Sequence, residues 1–90
     1  MDFSDLVATK IKEIMQEQNV TIYKLEDLSG VYSSTIAMFL NRQTRTIRLE
    51  NLLYICEGLN ISLSEFFADE RFKEAEATEW LKKKEKNKSN

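Results

Sequence analysis

Ninety residues make about one domain, since domains typically hold roughly 100–150 residues, and this leaves no room for a catalytic domain beside a regulatory one. A net charge of −2, 42% apolar and 31% charged residues, two Gly and no Pro describe a helix-rich globular chain and exclude a disordered or low-complexity one. One Cys and no His exclude an internal disulfide, a zinc site and the commonest general base; neither a cofactor nor a small-molecule ligand is expected.

The amino-terminal segment carries Phe3, Leu6, Val7, Ile11, Ile14 and Met15 at the i, i+3, i+4, i+7 spacing of one helical face. It predicts a first helix over 4–18, capped by Asp2 or Ser4 and ended at Asn19. Asp2 and Asp5 stand where an export signal would carry basic residues, so a cytoplasmic location is expected. Thr21 caps a short second helix over 22–29 with Leu25 and Leu28 inward, and Gly30 ends it because Gly accepts a left-handed backbone. A third helix over 33–41 turns Ile36, Phe39 and Leu40 inward. Polar Arg42–Arg48 is a loop, and Leu49, Leu52, Ile55, Cys56 and Leu59 make the stripe of a fourth helix over 49–59. Asn60 suits a left-handed terminus. Ser62-Leu-Ser-Glu65 is a capping box opening a fifth helix with Leu63, Phe66 and Phe67 inward. Residues 65–86 hold no Gly or Pro, and acidic residues precede Lys82, Lys83, Lys84 and Lys86; this predicts continued helix. The longest apolar runs, Ile36–Leu40 and Leu52–Cys56, are five residues against the about 20 a membrane helix needs, so no membrane partner is expected.

Two short helices joined by a tight, Gly-containing turn are the helix-turn-helix signature. Leu25, Val31, Ile36 and Phe39 are the apolar positions that would lock such a crossing. The run from Thr21 to Phe67, with Leu25-x-x-x-x-Gly30-Val31 and the later Leu49-x-x-Leu52-x-x-Ile55…Leu59-x-Ile61-Ser62-Leu63-x-Glu65-Phe66-Phe67, resembles the XRE-type helix-turn-helix family that includes the lambda repressor and Cro. The resemblance covers roughly residues 6–67. It implies an all-α, five-helix lambda-repressor-like DNA-binding domain over 1–67, followed by a helical extension over 68–86 and a disordered tail over 87–90. Four positions depart from the family pattern. Glu26 replaces a small Ala and fits only if its carboxylate reaches solvent past the crossing. Tyr32 replaces a Ser or Thr cap, leaving Ser33 or Ser34 to cap. Ile22 replaces a phosphate-binding Gln. Arg42 replaces a Gly, so Asn41 or Arg42 must take a costlier backbone.

At about 100° per residue, Ser34 and Met38 lie opposite the buried face of the third helix, with Asn41 beside them and Ala37 and Arg42 flanking. A major groove admits one helix, and Ser, Ala and Met suit base edges and a thymine methyl, which favours a T-rich half-site. The resemblance implies the same surface with Ser33 and Thr35 added. Expected base contacts are therefore Ser33, Ser34, Thr35, Ala37 and Met38. Expected phosphate contacts are Thr21, Tyr32, Asn41, Arg42, Arg45 and Arg48; the three arginines have no acidic residue between Val31 and Arg48. For Asn41, a role in ending its helix competes with DNA contact. Carboxylates are expected to lie off the contact face.

These residues predict a sequence-specific regulator of transcription, a repressor that binds double-stranded DNA as a homodimer over two half-sites. Phe67, Phe72, Trp80 and Leu81 are candidates for the dimer seam, with folding back over Phe66 and Phe67 as the competing outcome. The alternative function is an antitoxin-like module whose carboxyl-terminal segment holds a partner protein. An enzyme has no support, with no phosphate-cradling Gly loop and no metal-ligand spacing. Cys56 reads as an inert core thiol.

Overall fold

The structure is a computed structural model that describes residues 2–77. Five α-helices follow in order among them: α1 Phe3–Gln18, α2 Ile22–Ser29, α3 Ser33–Leu40, α4 Leu49–Gly58 and α5 Leu63–Phe67, then a 3-10 helix over Glu70–Glu74. No helix among the described residues is long and apolar enough to cross a membrane. Local chemistry sets the helix ends. The Asp2 carboxylate accepts the Ser4 and Asp5 N–H groups to open α1, the Thr21 hydroxyl accepts Lys24 N–H to open α2, and Ser62 with Glu65 completes the capping box of α5. Asn19, Gly30 and Asn60 adopt the left-handed backbone expected at the stops (φ 56°, 78° and 58°).

The core joins Val7, Ile11, Ile14 and Met15 of α1 to Leu25, Val31, Ile36, Phe39 and Leu40 of the helix-turn-helix, and to Leu52, Ile55, Cys56, Leu59 and Phe66. The four residues expected to lock the crossing are thus all buried. Burial pushes the Cys56 thiol up to about 11, consistent with an inert core role.

Three residues read on the apolar faces are exposed instead: Phe3, which keeps contact with the rings of Phe67 and Phe72, Leu28 and Leu49. Leu28 is displaced by backbone. A Cβ on Gly58 would lie 3.1 Å from the Leu28 carbonyl carbon and the Ser29 nitrogen, so α2 and α4 meet main chain to main chain and leave no space for the Leu28 side chain between them. Leu49 is the first residue of α4, and side chains tilt toward a helix's amino end, which carries it past the end of the stripe that Leu52 and Ile55 bury.

The expected continuous helix from Glu65 is also corrected. α5 stops at Phe67, the chain turns, and the 3-10 helix leads to an extended Ala75 and an isolated bridge between Asp2 and Glu76. An exposed i,i+4 Glu–Lys pair is worth about 0.2–0.5 kcal/mol, whereas each aromatic pair is worth about 0.5–1.5 kcal/mol beyond its buried area, and the bend places half-buried Phe72 among three rings. Its ring sits 4.9 Å from that of Phe67 and 5.9 Å from those of Phe66 and Phe3. Ion pairs hold the bend onto α1. Arg71 donates to both carboxylate oxygens of Glu13, at 2.6 and 3.1 Å, and to Asp69, which also takes Lys10 at 3.1 Å. These cations hold the Asp69 carboxyl well below the usual carboxylate range. Phe72 therefore folds back within its own chain, and Phe67 is half-buried in the same aromatic cluster. Trp80, Leu81, the lysine-rich stretch and the tail over 87–90 lie outside the described residues.

Candidate nucleic-acid interface

The turn between α2 and α3 is built from short-range bonds. Gly30 takes the left-handed backbone, and the Ser29 hydroxyl accepts Val31 N–H at 3.1 Å. Tyr32 occupies the N-cap of α3 without a side-chain bond to it. Neither Ser33 nor Ser34 takes over the cap. The Glu26 carboxylate does so from α2, accepting Ser33 N–H at 2.8 Å. Glu26 thus finds a hydrogen-bond partner at the crossing where a reach to solvent was expected, and it brings a carboxylate to the amino end of α3, where none was expected.

With Ile36, Phe39 and Leu40 buried, α3 turns Ser34 and Met38 outward, and Met38 is 43% exposed; Ser33, Thr35 and Ala37 are half-buried on its flanks. Nothing in Ser33–Leu40 is charged. A shallow cleft of about 280 Å³ runs along one side, between Ile22 and Tyr23 of α2 and Ser33, Ser34 and Ala37 of α3. On the other side a cleft of about 420 Å³ separates Tyr32, Thr35 and Phe39 from Thr46, Ile47, Arg48 and Asn51. Tyr23 and Tyr32, each about three-quarters exposed, thus stand on opposite sides of the same helix. Tyr23 and Asn51 were missing from the sequence-based set, and the sequence held no local signal for them: an exposed Tyr gains meaning only from the helix it stands beside.

The three arginines do not act alike. Arg42 takes the left-handed backbone at φ 61° that the missing Gly required, and Asn41 ends α3 at φ −87°. The Arg42 guanidinium donates to Asp5 at 2.7 Å, to the Ser4 hydroxyl and to the Phe39 and Arg45 carbonyls, and lies 5.0 Å above the Phe39 ring. Ser4, buried in α1, donates to the Arg45 carbonyl in the same cluster. The carboxylate-free surroundings expected of all three arginines therefore fail for Arg42, because α1 folds Asp5 against it. Arg45 and Arg48 are exposed and form no ion pair among the described residues. Thr21 and Tyr32 are exposed at the starts of α2 and α3, and Asn41 at the end of α3.

A helix crossing a second at a Gly turn and followed by an arginine-bearing loop is the arrangement of a helix-turn-helix protein. Residues 10–71 match the Cro/C1-type helix-turn-helix DNA-binding domain; the chain belongs to that family and is a DNA-binding protein. No curated protein matches the chain, and neither does any solved structure.

Proposed function

We propose that the protein is a sequence-specific transcriptional repressor of the cytoplasm that lays α3 in the major groove of double-stranded DNA and binds two half-sites as a homodimer. The observation that carries this is the outward face of α3: exposed Ser34 and Met38 on an uncharged helix, followed by exposed Arg45 and Arg48 with no ion pair among the described residues. Ser33, Ser34 and Thr35 meet base edges, Ala37 and Met38 pack on thymine methyls, and Arg45 and Arg48 clamp phosphates. Thr21, Tyr32 and Asn41 supply neutral donors to the backbone. Arg42 is already committed to Asp5 and shapes the loop that presents the other two. A helix-turn-helix reads only a few base pairs, so a second copy extends the site by about 34 Å, with Phe67, Phe72, Trp80 and Leu81 nearest the seam. In vitro selection from random duplexes at one fixed salt concentration is the test. It should yield a T-rich site with two-fold symmetry; enrichment of no sequence would remove the proposal.

A further inference from the structure

The amino end of a helix carries about half a positive charge and unsatisfied N–H groups, which together attract anions such as phosphate. On α3 that end lies beside Ser33 and Ser34, on the side proposed to meet DNA, and Tyr32 contributes no side-chain oxygen to it. Glu26 closes it from α2, with its carboxylate 2.8 Å from Ser33 N. A neutral Ser, Thr or Asn is enough to satisfy a helix's amino end. Glu26 does more, because it is half-buried, adjoins Ile22 and Tyr23 on the α2 turn that borders the cleft, and has no ion pair among the described residues.

We infer that Glu26 is a positioning residue with an electrostatic duty: it caps α3 across the turn and bars DNA phosphate from that helix's amino end, which weakens binding to duplexes of any sequence. The inference rests on the proposed placement of α3 in the groove. Phosphate attraction then acts from the Arg45 and Arg48 side, and α3 is left to be held by base edges. Weakening an unwanted mode is one of the two ways to gain specificity.

The test is the affinity of the full chain for a random-sequence duplex at low salt, measured on three variants alongside thermal melts. Glu26→Gln keeps an oxygen that accepts Ser33 N–H and loses the charge. It should melt near the parent protein and bind random duplex about five-fold tighter, the size of one unit-charge contact at about 4 Å in water. Glu26→Ala also lacks the charge and should show a similar gain while melting lower, because its cap is gone. Glu26→Asp keeps the charge and should show no gain. Unchanged or weaker binding by both neutral variants overturns the inference, as does an equal gain by Glu26→Asp. A parent protein that binds no duplex at all instead overturns the DNA-groove placement on which the inference stands.

Discussion

The two ends of α3 are closed by opposite chemistry, and neither closure comes from α3 itself. At the amino end a carboxylate of α2, Glu26, accepts the Ser33 N–H; at the carboxyl end a guanidinium, Arg42, donates to the Phe39 carbonyl and is steadied by Asp5 of α1. Each charge complements the helix dipole at its own end. The consequence for DNA differs. The amino end presents a fixed negative charge, while beyond the carboxyl end the loop leaves Arg45 and Arg48 exposed. Because neighbours supply both caps, Ser33–Leu40 can be uncharged and still be a terminated helix of eight residues, free to fit a groove.

The largest loss comes from beneath α3. Phe39 is 2% exposed and is the floor on which Arg42 lies. Phe39→Ala should cost about 3–5 kcal/mol in chemical denaturation and unseat the arginine along with the core; a loss under about 1 kcal/mol would mean that the carboxyl end is held without it. A smaller loss should come from the other end. At Gly58→Ala the new methyl meets backbone of Leu28 and Ser29 at 3.1–3.2 Å, which cannot swing away as a side chain would. α2 must shift, taking Glu26 with it, and the expected loss is about 1–3 kcal/mol.

The smallest effect separates the arginines. Arg42→Ala removes a half-exposed ion pair and two carbonyl contacts, so it should cost about 1 kcal/mol of stability and leave the salt dependence of DNA binding unchanged. Arg45→Ala should barely alter stability and should make that dependence shallower by about one unit of slope. Equal changes in slope for both variants would show that Arg42 leaves Asp5 for phosphate, ending its assignment as a structural residue.

Much of the fold was legible because its signals are local. Asp2, Thr21, Gly30, Asn60 and the Ser62–Glu65 box each act within three or four residues, and the apolar stripes of α1 and α4 follow one helical period. The candidate interface was legible for the same reason in Ser34 and Met38, whose outward position follows from the burial of Ile36, Phe39 and Leu40 three and four residues away. Misreadings fell where a distant partner decided the outcome. Leu28 faces solvent because Gly58 brings backbone there, and the helix expected past Phe67 gives way to a bend that places Phe72 in the aromatic cluster.

By itself, then, the order of residues determined five helices, the stops at Asn19, Gly30 and Asn60 and the outward side of the third, since propensity, caps and periodicity act within a turn or two of chain. Only the tertiary structure decided which charges meet. Asp5 reaches Arg42 across 37 positions and Glu26 reaches Ser33 across a turn, and such pairings depend on the crossing of helices, where a few ångströms settle whether a charged group is held or left to the solvent.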